Sequence, residues 1–143
     1  MKSVANLGLP HQPPFVFVQE LITCDSGVSA ECATIFRKSD PVFAGHFPGN
    51  PLVPGVIITE ALAQTAGIAA AAGYPEKMRP FFLLSAIRNM KFFDAVRPEK
   101  RIVLHAEKIA EMGKLLQFKV KAAVAGNCVA EGELVLTKAA SLE

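Results

Sequence analysis

Charged residues are scarce in this sequence: Asp, Glu, Lys and Arg make up 20% of its 143 positions, against roughly 25% in an average globular chain. The net charge of +2 is too small to indicate wholesale binding of nucleic acid. Hydrophobic residues reach 51%. We predict a single domain spanning 1–143, long enough to bury a real core. Because so apolar a domain is expected to cover part of its surface with a partner, we expect an oligomer.

Cysteine is also rare, and its pattern does not indicate a metal site. Cys24, Cys32 and Cys128 are odd in number and widely spaced, so no pair has metal-ligand spacing. We expect reduced, partly buried thiols in a cytoplasmic protein.

The sequence lacks a long uninterrupted hydrophobic run and a signal-peptide pattern. The longest apolar region, 56–73, holds Glu60 near one end and Gln64 in its body. A membrane span rarely carries such residues, so we interpret the region as a helix buried in a protein core. The N-terminal residues lack the charged, then apolar, then small-residue order of a signal peptide. We therefore expect no membrane association.

The order of the hydrophobic patterns predicts an α+β fold. Two strands joined by a turn at 25–27 precede one long helix, and a meander of antiparallel strands follows it. The helix is apolar nearly all round, which indicates that it is enclosed, with Gly73 as its C-cap. The most economical arrangement is a curved antiparallel sheet wrapped around a central helix. The predicted strands are 15–23, 28–37, 82–93, 101–110, 115–124 and 128–138, and the predicted helix is 55–72.

A loop rich in proline and glycine, 40–54, leads into the helix. Pro48, Pro51 and Pro54 recur at every third position. Each proline fixes its own φ and biases the preceding residue to an extended conformation. We therefore predict a rigid loop.

This loop and the first turns of the helix carry most of the candidate chemistry. His46 can accept a proton near neutral pH. The N–H groups of Gly55 and Val56, at the helix start, have no partner within the helix and suit a carbonyl oxygen that gains negative charge. Glu60 lies among apolar neighbours that favour its protonated, acid form. Gln64, at i+4, could orient the Glu60 carboxyl group.

Taken singly, these features also have ordinary structural explanations. A lone histidine after a glycine is more often a loop or core residue than a catalyst. A lone Glu near a helix start is usually a surface group favoured by the helix dipole. The conjunction of a base, an acid and amide donors suits proton abstraction next to a carbonyl. The spacing of His46 and Glu60 does not show that the two side chains meet within one subunit.

Residues 46–56 and 60–64 read HFPGNPLVPGV and EALAQ. This pattern resembles the motif of the (3R)-hydroxyacyl-(acyl-carrier-protein) dehydratases. The likeness extends to residues 9–15, to 81–97 and to the last strand, and so covers nearly the whole chain. The resemblance implies the hot-dog fold, a homodimer with a trimer of dimers as the further assembly, and a site shared between subunits.

The same resemblance implies roles for the residues of the motif. His46 abstracts the C2 proton of the acyl thioester, and Glu60 of the other subunit protonates the leaving 3-hydroxyl. Gly55 polarises the carbonyl, and Gln64 positions Glu60. The product is a trans-2-enoyl thioester, without isomerisation, because the acid is Glu rather than Asp. No cofactor is implied, since the phosphopantetheine of acyl carrier protein holds the substrate.

Two further groups of residues complete the predicted site. The substrate tunnel is predicted to be lined by Phe81, Phe82, Phe92 and Phe93. An excess of basic residues in 76–101 suits an acidic carrier protein and its phosphate, although a solvated strand face explains each of them equally well. The predicted carrier-binding residues are Arg88, Lys91, Arg97, Lys100 and Arg101.

Alternative functions remain open from the sequence. One is a dehydratase of a specialised, polyketide-type pathway, and another is a hot-dog thioesterase. A non-catalytic subunit that binds carrier protein belongs to a different class. His11 is predicted only to brace the N-terminal segment, and His105 to lie on a sheet face.

Overall fold

The computed structural model describes residues 2–4 and 7–140. A seven-stranded antiparallel sheet curves around one long helix, with strand order β1-β2-β3-β5-β6-β7-β4. Positions 1, 5, 6 and 141–143 of the predicted domain lie outside the described residues. The elements are β1 (Lys2–Ser3), β2 (Glu20–Asp25), β3 (Ser29–Ile35), α1 (Val42–Gly45), α2 (Gly55–Ala71), a 3-10 turn (Glu76–Met78), β4 (Phe81–Phe92), β5 (Arg101–Met112), β6 (Leu115–Val124) and β7 (Asn127–Ala139).

Helix α2 is the centre of the fold. Pro54 caps its start in an extended conformation, with φ −60° and ψ 136°. Thirteen of its seventeen residues are buried, which confirms an enclosed helix. The prediction of Gly73 as the C-cap is wrong, because Ala72 takes that position. Gly73 instead lies against Gly27, where an added Cβ would come within 3.0 Å of the Gly27 Cα.

The sheet confirms most of the predicted strands. In β6, the apolar side of the alternating pattern lies in the core beneath α2. The arrangement of one helix inside a curved antiparallel sheet is the hot-dog fold that the resemblance implies. Among the described residues, no helix is long and apolar enough to cross a membrane. The four buried apolar side chains of β6 are those of Leu116, Phe118, Val120 and Ala122.

The first predicted strand, 15–23, is partly wrong. Strand β2 begins only at Glu20, and residues 16–19 are irregular. The backbone of Phe15 and Phe17 bonds to the side chain of Gln64 instead of to a neighbouring strand. A side chain of the helix thus satisfies these backbone groups, and the first backbone bond to β3 is that of Gln19 N to Ala33 O, directly before β2 begins.

The loop 40–54 contains α1, which the sequence pattern did not predict. Backbone hydrogen bonds fix the second half of the loop. Leu52 N donates to His46 O over 3.0 Å, and Val53 N donates to Val96 O over 2.7 Å. The second bond ties the loop to the connection between β4 and β5.

Strand β4 lies at an edge of the sheet, paired only with β7 among the described strands. It is twelve residues long and carries exposed Leu83, Leu84 and Ile87. A long apolar edge strand offers unpaired backbone groups to another chain. This surface is therefore suited to a protein partner.

Candidate active site

His46 lies at the end of α1, where the loop turns toward α2. Its Nδ1 is 3.0 Å from the carbonyl oxygen of Leu52. A carbonyl only accepts hydrogen bonds, so Nδ1 carries the proton in the neutral ring and Nε2 keeps a lone pair. The ring stacks on Phe47 at a centroid distance of 4.1 Å. In the neutral ring, Nε2 is thus the acceptor atom of His46.

The start of α2 faces the same space as His46. The N–H groups of Ile57 and Ile58 donate to Pro54 O over 3.0 and 3.1 Å, which closes the first helical turn. The amides of Gly55 and Val56 precede these bonds and are donors that the helix cannot satisfy. A Cβ on Gly55 would come within 3.0 Å of the Phe92 ring, so only a glycine leaves this approach open without movement of Phe92.

A pocket of about 470 Å³ joins the base to the helix start. The structure therefore brings His46 and Gly55 together, as the sequence predicted. The side chain of Val56 is 78% exposed and is not among the pocket-lining groups. The lining includes His46, Gly55, Ile58, Phe92, Phe93 and Val96.

The four phenylalanines predicted to line a tunnel do not lie together in one chain. Phe92 and Phe93 line the pocket of His46. Phe81 and Phe92 are at opposite ends of β4, about 37 Å apart at the usual strand rise. Phe82 is buried, 6.2 Å from the Tyr74 ring between centroids. Phe81 lines a separate pocket beside Arg79.

Glu60 lies on α2 with its carboxyl group half-buried. Gln64 Nε2 donates to Glu60 Oε2 over 3.1 Å. Gln64 is itself held, because it accepts from Phe17 N over 2.9 Å and donates to Phe15 O over 3.1 Å. The side chain predicted to orient the acid is therefore bonded to it and fixed by the N-terminal segment.

His11 also contacts the acid, and sequence reasoning missed this. Its Nε2 is 3.5 Å from Glu60 Oε2. The two residues are far apart in the sequence, and no local pattern marks the pair. Only the path of the N-terminal segment along α2 could have revealed it.

His46 and Glu60 do not share a pocket in one chain. Glu60 follows Gly55 by five positions, which is a rotation of about 140° around the helix. Glu60 is absent from the lining of the His46 pocket. In one copy of the chain, Glu60 therefore lies on a different side of α2 from the pocket that His46 and Gly55 share.

The predicted carrier-binding residues fall into two groups. Arg97 NH1 donates to Asn50 Oδ1 over 2.9 Å, so this side chain ties the loop to the β4–β5 connection. Arg101 begins β5, and Lys100 precedes it on the same connection, of which Ala95 and Val96 line the His46 pocket. Arg88 and Lys91 lie farther along β4.

Arg88 and Lys91 face carboxylates across the sheet. The register of β4 and β7 places Arg88 opposite Glu133 and Lys91 opposite Glu131. Opposite charges at such positions favour strand pairing. Arg88 and Lys91 therefore have a structural explanation in the pairing of β4 with β7.

Glu99 anchors the start of the loop that carries His46. Its carboxylate accepts from Lys38 N over 2.6 Å and from Arg37 NH1 over 3.0 Å. The hydrogen bond from Lys38 N–H, followed by that from Arg37, lowers the pKa of Glu99 below its ordinary value. Glu99 has φ +69°, in the left-handed region that most residues avoid.

Among the described residues, no three His, Cys, Asp or Glu side chains are grouped so as to hold a metal ion.

Comparison with known proteins places the chain in a family. Residues 23–133 match the ApeI-like family, described as ApeI dehydratase. The chain is 39% identical over 133 residues to the 3-hydroxyacyl-(acyl-carrier-protein) dehydratase FabZ of Ruminiclostridium cellulolyticum, covering 92% of this chain and 93% of that protein. The chain belongs to this dehydratase family.

Further relatives agree with this membership. The FabZ dehydratase of Nitratiruptor sp. is 38% identical over 132 residues, with 88% of both chains covered. Among solved structures, the ApeI:P dehydratase heterocomplex from Xenorhabdus doucetiae superposes with a TM-score of 0.80 at 18% identity. That match covers 96% of this chain and 91% of the other, and shows the common fold.

Proposed function

We propose that this chain dehydrates (3R)-3-hydroxyacyl-(acyl-carrier-protein) to trans-2-enoyl-(acyl-carrier-protein) in fatty acid biosynthesis. The observation that carries the proposal is the shared pocket of His46 and Gly55. A base with a free Nε2 there faces amide donors at a helix start. This is the combination that proton abstraction next to a thioester carbonyl requires.

The proposed reaction uses only groups of the protein. His46 Nε2 takes the proton from C2, and charge that develops on the thioester oxygen is stabilised by Gly55 N–H, with Val56 N–H as a second donor. The C2 electron pair forms the C2–C3 double bond as the C3–O bond breaks. Glu60 of a second copy gives its proton to the leaving hydroxyl, which departs as water. Gln64 holds that carboxyl group in place. The proposal needs no metal or organic cofactor.

The proposed active unit is a homodimer. Two observations support it: the base and the acid lie on different sides of α2, and exposed apolar groups surround them. Phe47, Phe92 and Phe93 are each about half exposed beside His46, and Phe15 is 51% exposed near Glu60. A two-fold axis repeats each contact, so the His46 of each copy would meet the Glu60 of the other. A trimer of dimers is the proposed further assembly.

The proposed partner is acyl carrier protein, which presents its substrate on a phosphopantetheine arm. Lys100 and Arg101 follow the β4–β5 connection that lines part of the His46 pocket, and we propose that they meet an acidic carrier. Phe92 and Phe93 would contact the first part of the acyl chain. We place the reaction in the cytoplasm, a location that the three free cysteines support.

Product analysis tests the proposal directly. Purified protein is mixed with 3-hydroxyacyl thioesters of several lengths, on carrier protein and on coenzyme A, while enoyl absorbance and free thiol are recorded together. The proposal expects enoyl product without thiol release, and loss of turnover in His46→Ala. Rapid thiol release without enoyl product would identify a thioesterase instead. Absence of both would leave the non-catalytic carrier-binding function.

A further inference from the structure

His11 approaches the oxygen atom of Glu60 that Gln64 also contacts. Its Nε2 lies 3.5 Å from Glu60 Oε2, and Gln64 Nε2 lies 3.1 Å from the same atom. The histidine contact is long for a hydrogen bond. Contacts around catalytic groups often are, and they shorten when the reactive complex forms. Two donors thus converge on one carboxyl oxygen.

The other ring nitrogen of His11 is buried without a partner. His11 Nδ1 has no hydrogen bond in the structure, although it is withdrawn from solvent. A buried unpartnered polar atom destabilises a protein and calls for an explanation. The ring also stacks on Phe15 at 6.0 Å between centroids with planes 15° apart. Phenylalanine would make the same stack without the unpartnered nitrogen, so packing alone does not explain a histidine here.

The environment of Nδ1 decides which form of the ring is present. A charged ring would bury an unpartnered Nδ1–H, whereas a neutral ring leaves only an unused acceptor there. The neutral tautomer with the proton on Nε2 directs a donor at Glu60 Oε2. His11 therefore faces the acid as a neutral donor and not as a positive charge.

We propose that His11 is a positioning residue for the acid, and this rests on the catalytic role proposed for Glu60. His11 and Gln64 donate together to Oε2, which leaves Oε1 as the oxygen that carries the transferable proton. Because two donors hold Oε2, the carboxyl group keeps one orientation, and the proton on Oε1 points toward the leaving hydroxyl. His11 does not take part in the proton transfer.

The test separates a donor role from a bracing role. His11→Phe keeps the ring stack and removes the donor, whereas His11→Gln keeps a donor near the Nε2 position. His11→Leu removes the donor without an aromatic ring, should the phenylalanine variant not fold. His105→Phe is the matched control, because His105 Nδ1 lies 3.6 Å from Glu31 Oε2 away from the site. The readouts are kcat, KM and the thermal midpoint of each variant.

We expect His11→Phe to lower kcat about tenfold with KM within about twofold, because a lost donor misaligns the acid. Its thermal midpoint stays equal to or above that of the wild type. His11→Gln recovers kcat to within about threefold of wild type, and His105→Phe changes neither constant. The double variant His11→Phe/Glu60→Gln should have the same kcat as Glu60→Gln alone, because His11 acts through Glu60.

Two results would overturn the inference. One is an unchanged kcat in His11→Phe alongside a large loss in Glu60→Gln, which would reject the inference and leave the proposed function intact. The other is an equal loss of kcat and of thermal stability in all three His11 variants, which would reduce His11 to a brace. A wild-type protein that forms no enoyl product would instead reject the proposed function, and this inference with it.

Discussion

Gln64 and Glu60 form a side-chain hydrogen bond one helical turn apart, with Gln64 Nε2 donating to Glu60 Oε2 over 3.1 Å. The same amide group binds Phe15 O and Phe17 N, so it links the acid to the N-terminal segment. This link holds the segment against the helix. One buried residue thus joins the position of the acid to the packing of the chain.

Replacing Gln64 should affect stability and turnover together. Gln64→Leu removes three hydrogen bonds and leaves backbone groups of Phe15 and Phe17 without partners. We expect the free energy of unfolding to fall by about 2–3 kcal/mol, with a lower kcat. Denaturant unfolding and steady-state kinetics measure the two effects. Thr65→Val is the matched control: Thr65 is equally buried, and its hydroxyl donates to Ala61 O. A smaller loss in Gln64→Leu than in Thr65→Val would contradict this prediction.

The two glycines of α2 should respond oppositely to alanine. In Gly55→Ala, the new Cβ meets the Phe92 ring at 3.0 Å beside the proposed carbonyl site. We expect kcat/KM to fall by about tenfold or more, as for other losses of oxyanion stabilisation. Gly67 has only Leu9 Cδ2 near, at 3.7 Å. Gly67→Ala should retain activity and raise the free energy of unfolding by up to about 1 kcal/mol, from helix propensity. Equal kinetics in both variants would argue against a carbonyl site at Gly55.

Glu99 should stabilise the fold in a pH-dependent way. Hydrogen bonds from Lys38 N–H and Arg37 lower its pKa below the ordinary 4.5. Its contribution is therefore complete above the unfolded-state pKa and is lost as the pH falls through the lower folded-state pKa. Urea unfolding of wild type and Glu99→Gln should differ at pH 7, and the difference should shrink as the pH falls below the ordinary 4.5.

A second carboxylate serves as the control for Glu99. A hydrogen bond from Lys108 also lowers the pKa of Glu111 below its ordinary value, and the charge of Lys108 adds to this effect. Glu111→Gln should therefore share the pH signature, but only Glu99→Gln should reduce turnover, because Glu99 holds the start of the His46 loop. Equal turnover in the two variants would show that this anchor does not influence the site.

The edge strand β4 should control assembly. Ile87 is 52% exposed on this edge, and Ile109 is 47% exposed on the interior strand β5. We expect Ile87→Lys to yield monomers without activity, because two copies would bring like charges together in an apolar interface. Ile109→Lys should keep the assembly. Sedimentation velocity gives the masses and also separates a dimer from a trimer of dimers. An intact, active assembly of Ile87→Lys would exclude β4 from the interface.

The local hydrophobic pattern was enough to predict the elements in which that pattern is regular. Alternation in β6 identified the buried face that contains Phe118, because each position faces either the core or solvent. The apolar stretch after Pro54 identified α2, and the proline marked the position directly before its first residue. The sequence also assigned His46 and Gly55 to one candidate site, and both residues line the same pocket.

Several of the missed features depend on contacts between distant parts of the chain. Residues 16–19 have strand-like composition, but a helix side chain takes the hydrogen bonds of Phe15 and Phe17. The His11 contact with Glu60 depends on the same path. The grouping of Phe81 with Phe92 overlooked the length of the strand between them. Composition and periodicity carry no information on such distances.

Mixing two inactive variants tests the central claim, that His46 of one copy works with Glu60 of another. His46→Ala and Glu60→Gln are purified separately, combined in equal amounts, and allowed to exchange subunits, with exchange verified by mass. We expect recovery of about one quarter of wild-type enoyl formation, because half of the dimers are mixed and each holds one intact site. No recovery after verified exchange would contradict the shared site.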